Sequence, residues 1–255
     1  MIDNAGVTTT LAAKARALRA LHVPGDPVVL PNVWDAASAR VLAEAGYPAI
    51  ATASAAVSAA LGYRDGHDMP ADEAFAAVRR VSGAVDVPVT ADVERGYGLP
   101  PAVIAERLAE AGAAGCNLED SDPVGERLVE VGEQVDFLAA VRAADPELVI
   151  NARVDVFIHG DRSLDEGVRR ARAYLEAGAD CVYPIGLPAE HVAAFVAAVD
   201  RRPVNLWHGP GEPGLGEVAA LGVARVSFGP GLQRLLLARL GELVGGIREG
   251  RDPYA

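Results

Sequence analysis

The sequence predicts an α/β protein folded as a single (β/α)8 barrel, a TIM barrel, and three observations carry that prediction. Short β-branched or apolar runs alternate with longer Ala/Leu/Glu/Arg-rich stretches of helical period, and the alternation repeats eight times from Val28 onward. Several helical stretches end in one phrase, Glu44-Ala45-Gly46, Glu110-Ala111-Gly112 and Glu176-Ala177-Gly178, shortly before the next strand. Glycine suits that place because the residue after a helix adopts a left-handed backbone. No linker or low-complexity stretch divides the chain. Eight βα units with right-handed crossovers close most economically into a barrel; the alternative is a doubly wound open sheet, but no glycine fingerprint follows the first strand.

The strands expected in order are Val28 to Pro31, Ala49 to Thr52, Val87 to Ala91, Gly115 to Leu118, Leu148 to Ala152, Cys181 to Tyr183, Pro203 to Leu206 and Arg225 to Phe228. Pro48, Pro88 and Pro203 mark the loops that lead into three of them. The helices are Ala36 to Ala45, Ala71 to Val85, Pro101 to Ala111, Glu133 to Ala143, Leu164 to Ala177, Ala189 to Val199, Leu215 to Leu221 and Leu232 to Ile247. Residues 1–26 form an N-terminal extension whose helix packs across one barrel end. Residues 27–230 form the barrel core, and 231–255 a C-terminal helix and tail. That last helix carries Leu235, Leu236, Leu237 and Leu240 around much of its girth, which suits a subunit interface or burial against its own barrel.

Composition bounds the function. The chain of 255 residues is 51% hydrophobic and 23% charged, with a net charge of −12. A nucleic-acid partner is therefore not expected, and the pairs Arg79-Arg80, Arg169-Arg170 and Arg201-Arg202 read as solvated helix faces. Cys116 and Cys181 lie far apart, without the spacing of a disulfide framework or zinc site, which fits a reducing cytoplasm. No leader-like h-region precedes Arg19, and no apolar run approaches the ~18 residues that span a bilayer. The isolated histidines His22, His67, His159 and His191 read as surface or loop residues.

The chemistry of a barrel sits at the C-terminal ends of its strands. Here those ends deliver acids: Asp92 and Glu94 after the third strand, Glu119 and Asp120 after the fourth, Asp65 in the loop after the second. A spacing of two in an extended segment points Asp92 and Glu94 to one side. Converging acids repel one another, and a hard divalent cation, Mg²⁺ with retained waters, relieves the repulsion. Singly, each acid has an alternative use as a helix cap or as a partner of Arg64 or Arg95. Arg153, at the end of the fifth strand, can hold a substrate carboxylate in a bidentate pair, or pair internally with Asp155 or Glu119. The run Gly209 to Gly214 after the seventh strand reads as a turn rather than a phosphate cradle, since it holds Glu212 and no Lys or Arg.

These residues carry a resemblance. Leu30-Pro31-Asn32-Val33-Trp34-Asp35-Ala36-Ala37-Ser38-Ala39, Gly62-Tyr63-Arg64-Asp65, Ala91-Asp92-Val93-Glu94-Arg95-Gly96-Tyr97-Gly98, Asn117-Leu118-Glu119-Asp120 and Asn151-Ala152-Arg153-Val154-Asp155 resemble the isocitrate lyase/phosphoenolpyruvate mutase superfamily, in the right order from about Pro27 to Leu237. The resemblance implies a barrel that assembles as a homo-oligomer, dimer or tetramer, often by swapping the last helix between subunits. It implies Mg²⁺, or Mn²⁺ in its place, and a 2-oxo acid or its enolate. Asp92 resembles the direct metal ligand, while Asp65, Glu94 and Glu119 resemble ligands acting through metal-bound waters. Arg153 resembles the substrate-carboxylate clamp, Ala53-Ser54-Ala55 the turn whose amides meet the pyruvoyl oxygens, and Asn205 a polar substrate-side position.

The departures narrow the chemistry. The lyases carry a Lys-Lys/Arg-Cys-Gly-His loop after the fourth strand, whose Cys protonates the departing carbanion. Here that region reads Asp120-Ser121-Asp122-Pro123-Val124-Gly125-Glu126-Arg127, without Cys, Lys or His. The mutase's Lys- and Asn-bearing version is absent too, and the family's Ser in the pyruvoyl turn is Ala53. The expectation is a cytoplasmic, Mg²⁺-dependent lyase acting on a small 2-oxo or 2-hydroxy dicarboxylic acid through an enolate of pyruvate type. Oxaloacetate decarboxylation or hydrolysis, or alkylmalate cleavage, are the forms it would take. The alternatives are a P–C bond hydrolase or mutase, and a non-catalytic 2-oxo-acid binding protein. Asp65, Arg153, Tyr63 and Tyr97 are the candidate catalytic residues, the two tyrosines as proton donors alongside His208.

Overall fold

A computed structural model describes residues 10–66, 68–122 and 127–254. Eight parallel strands follow one another as the sequence predicts. They are Asp26–Leu30 with its continuation Asn32–Val33 (β1), Ile50–Thr52 (β2), Val89–Asp92 (β3), Gly115–Leu118 (β4), Val149–Arg153 (β5), Cys181–Tyr183 (β6), Asn205–Trp207 (β7) and Arg225–Ser227 (β8). Pro31 has no N–H to give and splits β1 into two pieces: the first pairs with β8, the second with β2. The ladders β2 to β6 run without interruption, β7 pairs with β8, and a bridge between Val182 and Val204 closes the ring.

The helices keep their expected places, ending one to three residues earlier in several cases. Asp35 and Ser38 cap Ala36–Glu44 reciprocally, and Ser163 accepts from the Glu166 N–H at the start of Leu164–Glu176. Gly46, Gly112 and Gly178 follow their helices at φ of 85°, 76° and 106°, as the repeated phrase requires. Sequence periodicity missed four small elements: strand His22–Val23 before β1, helix Ser54–Leu61 after β2, the two-stranded pair Ser121–Asp122 and Arg127–Leu128 after β4, and helix Val156–His159 after β5. Ser54–Leu61 is nearly all Ala and Ser, so it shows no apolar stripe to detect.

Alternation along the strands divides the core in two. Ala91, Cys116, Leu118, Ile150, Ala152, Val182, Leu206 and Val226 face the surrounding helices. At the N-terminal end of the barrel, Val28, Leu30, Ala49, Ala51 and Val149 pack on Ala15 and Leu18 of helix Leu11–Ala20, which crosses that end as expected. Each fully buried leucine such as Leu18 contributes roughly 2 kcal/mol. Above this plug the lumen is polar, and above that lies the acidic mouth.

Two surface expectations need correction. His22 is 7% exposed, tucked under the barrel with Nδ1 2.8 Å from the Leu18 carbonyl, because the chain turns back there to pair His22–Val23 with β1. Arg170 is likewise buried, drawn inward by Asp120 and Tyr174, while Arg169 beside it is exposed. His159 is exposed and His191 half-buried, and His67 lies outside the described residues. Both cysteines are buried and free. Helix Gly231–Arg248 leaves Leu235, Leu236, Leu237 and Leu240 more than half exposed. Among the described residues, no helix is long and apolar enough to cross a membrane.

Candidate active site

The strand ends bring the predicted acids to one mouth. Asp92, the last residue of β3, is held from below and beside: its N–H donates to Thr52 Oγ1 at 2.9 Å, and Ser54 Oγ donates to its Oδ2 at 3.3 Å. Ser54 opens helix Ser54–Leu61, so the N–H groups of Ser54 and Ala55 have no intrahelical acceptor. They give the mouth backbone donors at a helix N-terminus, where negative charge is favoured. Ala53 precedes them in extended conformation and supplies no side-chain cap.

Glu94 reaches the mouth by a different route from the one its spacing suggests. The strand stops at Asp92, and Glu94 turns with φ of 53°, followed by Gly96 at 82° and Tyr97 at 55°. Glycine suits position 96, where the backbone is left-handed and a Cβ would meet Ile104 Cδ1 at 2.2 Å and force that side chain to shift. The turn leaves Glu94 5% exposed, accepting from the Gly66 N–H at 3.2 Å. Burial, then Asp65, push its carboxyl up to about 7. Asp65 is exposed as a residue, but its carboxyl end faces the same group of acids. Desolvation and then Asp92 raise it, against the pull of Ser54, Arg153 and Arg234.

Glu119 and Arg153 form the opposite side. Arg153 Nε and Nη2 grip Asp155 in a bidentate pair at 2.6 and 2.7 Å, and Nη2 also pairs with Glu119. Both internal partners named from the sequence are therefore engaged, and Nη1 takes part in neither pair. Burial holds the Glu119 carboxyl well above its usual range, with Arg153 opposing and Asp155, Asp92 and Glu94 adding to the rise. Behind Arg153 stands a network that sequence reasoning missed. Asp155 accepts from Ser121 Oγ at 2.7 Å, and its N–H donates to Asp120 Oδ1 at 2.8 Å. Asp120 Oδ2 takes Tyr174 OH at 2.7 Å and Arg170 Nη1 at 2.9 Å. Asp120 is thus a buried scaffold for the Arg153 side, a role its place in an acidic strand end did not distinguish from ligation.

Other candidates land less centrally. Tyr63 packs with Met69, Val57 and Trp34 in a satellite cluster. Tyr97 stacks edge-on to Phe75, and burial followed by the field of Glu94, Asp92, Asp65 and Glu119 raises its hydroxyl well above its usual range. Asn205 lies fully buried in the lumen, exchanging hydrogen bonds with Ser227 Oγ at 3.2 Å. His208 sits edge-on to Phe228 beside an apolar cavity of about 120 Å³ lined by Leu206, Val218 and Val226. Tyr183 was overlooked. It ends β6 in register with Arg153, so both side chains point into the barrel, and burial pushes its hydroxyl up to about 12. Asking of β6 what was asked of β3 to β5 would have found it.

The donor set fits a hydrated divalent cation. Asp65, Asp92, Glu94, Glu119 and Asp155 gather near Arg153, with Arg234 also acting on Asp65, and the raised carboxyls of Asp65, Glu94 and Glu119 follow from burial and from repulsion among the acids. Among the described residues, no three His, Cys, Asp or Glu side chains gather closely enough to cage an ion by themselves. A cation that keeps most of its waters, as Mg²⁺ does, needs no such cage.

The fold is a barrel with a cluster of acids beside Arg153 at the C-terminal ends of its strands, and comparison with known proteins supplies the family. The phosphoenolpyruvate phosphomutase family model matches residues 18–248, and the chain belongs to this family, within the phosphoenolpyruvate mutase/isocitrate lyase superfamily. An uncharacterised protein of Mycobacterium tuberculosis is 35% identical over 213 residues, covering 82% of this chain and 80% of its own. The oxaloacetate decarboxylase of Rhodopseudomonas palustris is 33% identical over 210 residues, covering 78% and 72%. A crystal structure from Burkholderia cenocepacia J2315, provisionally assigned as a phosphonomutase, superposes with a TM-score of 0.86 at 43% identity, covering 91% of this chain and 99% of that one. A phosphonopyruvate hydrolase in complex with oxalate and Mg²⁺ superposes at 0.81 with 26% identity, covering 93% and 88%.

Proposed function

We propose that this protein is a Mg²⁺-dependent carbon–carbon lyase that acts on a small 2-oxo or 2-hydroxy dicarboxylic acid through the enolate of pyruvate or a close relative. The observation that carries the reading is the convergence of Asp92, Asp65, Glu94 and Glu119 with Arg153 and a helix N-terminus at one barrel mouth. The oxalate and Mg²⁺ held by the related hydrolase support it, oxalate being a planar analogue of such an enolate. Asp92 would hold the ion directly, with Asp65, Glu94 and Glu119 holding its waters; the ion supplies positive charge where an enolate oxygen develops.

The chain's own residues do the rest. Arg153, steadied by Asp155, offers its Nη1 edge to the substrate carboxylate. The Ser54 and Ala55 N–H groups meet the carbonyl oxygen, which becomes negative as the bond breaks. Tyr97 keeps its proton in this acidic field, so it is held ready as a donor rather than a base. Decarboxylation or hydrolysis of an oxaloacetate-like acid asks least of a chain without the lyase Cys loop. The four exposed leucines of Gly231–Arg248 are proposed as the contact between copies of this chain.

Proton NMR on the purified protein tests the reading. Oxaloacetate, 2-alkylmalates, isocitrate, methylisocitrate and phosphonopyruvate are offered with Mg²⁺, with chelator controls. Chelator-sensitive release of pyruvate or another 2-oxo acid from a dicarboxylate is the expected result. Turnover of phosphonopyruvate alone would favour P–C chemistry instead, and oxalate binding without any product would favour a binding protein.

A further inference from the structure

Barrel interiors are normally filled by layers of branched apolar side chains. Between the apolar plug and the mouth, this lumen instead holds Thr90, Asn117, Asn151, Asn205, Ser227 and Arg225. Arg225, at the start of β8, is 1% exposed and among the largest fully buried side chains in the molecule. Its Nη2 approaches Asn117 Oδ1, on β4, at 3.5 Å. β4 and β8 face each other across an eight-stranded ring, so the guanidinium lies across the barrel axis. Asn117 is in turn the registered neighbour of Asp92 and accepts from Asn151 Nδ2 at 2.8 Å.

No carboxylate among the described residues pairs with this cation. Nε and Nη1 have no hydrogen-bond partner, and the other unpaired polar atoms of the lumen, Thr90 Oγ1, Asn151 Oδ1 and His22 Nε2, belong to groups that carry no charge at neutral pH. His22 beneath it is held neutral, its pKa pushed down to about 4 by burial and then by Arg225 itself. Burial also lowers Arg225, yet a guanidinium stays protonated, so a full positive charge remains below the mouth. Asp92, at the mouth above, is among the charges that bear on it.

We infer that Arg225 is a positioning residue, a fixed positive charge on the barrel axis that acts from beneath Asp92 and Asn117 to favour anionic ligands at the mouth and to temper its hold on the cation. The inference rests on the proposed Mg²⁺ and 2-oxo-acid site. The physical ground is that a low-dielectric lumen transmits charge further than water does. The acids gathered around Arg153 would otherwise bind a divalent ion strongly while repelling an enolate dianion. A structural arginine would make no such distinction between ligands of opposite sign.

Calorimetric titration of Mg²⁺, and of oxalate at saturating Mg²⁺, separates the cases. Arg225→Gln is expected to tighten Mg²⁺ and to weaken oxalate, each on the order of tenfold. Arg225→Lys, which keeps the charge and loses the fork, is expected to hold both constants within about threefold of the wild type. Shifts of Arg225→Gln in the same direction, or none, would overturn the inference. If Arg225→Gln does not fold, the Lys variant decides: both affinities retained supports the charge, and both lost, or a Lys variant that also fails to fold, assigns Arg225 to architecture alone. A wild type that binds neither Mg²⁺ nor oxalate removes the site reading itself, and is seen before any variant is made.

Discussion

Replacing Asp155 by Asn tests the Arg153 side of the mouth. The substitution keeps the shape of the side chain and removes its charge. Asp155 is fully buried, grips Arg153 through two bonds of 2.6 and 2.7 Å and takes a third from Ser121. Removing one partner of a buried pair costs about 3–5 kcal/mol, because the other charge is left uncompensated. Glu119 remains beside Arg153 and Asn still accepts a hydrogen bond, so the lower end, about 3 kcal/mol, is expected. In a chain of this size that corresponds to a fall in Tm of roughly 6–12 °C. The assay is thermal and urea unfolding of Asp155→Asn, Arg153→Met and the double variant. A coupling of about 2 kcal/mol between the two sites is expected. A fall below about 2 °C for Asp155→Asn, or additivity within about 0.5 kcal/mol, would refute the claim that Asp155 holds Arg153.

Further outcomes follow from other parts of the molecule. His22 has a folded pKa of about 4 against 6.5 for the free side chain. Between those values the unfolded chain takes up a proton that the folded one refuses, so stability is full above pH 6.5 and falls as pH drops toward 4. A His22→Gln variant should lose about 2 kcal/mol of the wild-type difference in unfolding free energy between pH 7 and pH 5; parallel pH profiles would contradict this. Gly96→Ala, which places a methyl on a left-handed backbone and against Ile104, should cost about 2 kcal/mol in urea unfolding and weaken Mg²⁺ binding, since the same turn carries Glu94. Leu236→Glu with Leu240→Glu should turn an oligomer into a monomer by light scattering, and a wild type already monomeric would remove the proposed contact.

The fold was legible wherever periodicity and end signals coincided. The Glu-Ala-Gly endings placed three helix termini, and the eight apolar runs placed eight strands, because burial on both faces makes barrel strands short and continuous in hydrophobicity. Ser54–Leu61 escaped because Ala and Ser carry no stripe, and the pair after β4 because two-residue strands carry no period. The acids of the mouth were legible from their place at strand ends. What the sequence hid was partnership. The pairing of Arg153 with Asp155 and Glu119 was one of two readings open in the sequence, but Asp120 supporting from behind and Arg225 reaching across from β8 to β4 depend on contacts 35 or more residues apart. Arg170 was misplaced for the same reason, its partner Asp120 lying 50 residues away, while His22 was misplaced because the chain turns back beneath the barrel and buries it against the nearby Leu18 carbonyl.

The proposed mouth places a hydrated metal ion on Asp92 beside a carboxylate-binding Arg153. Crystals soaked in Mn²⁺ and oxalate, with anomalous data, test it directly. The expected result is one strong anomalous peak about 2.1 Å from an Asp92 oxygen, with oxalate on the ion and facing Arg153 and the Ser54–Ala55 amides, and with waters between the ion and Asp65, Glu94 and Glu119. A peak elsewhere, or oxalate bound away from Arg153 with no ion at Asp92, would contradict it.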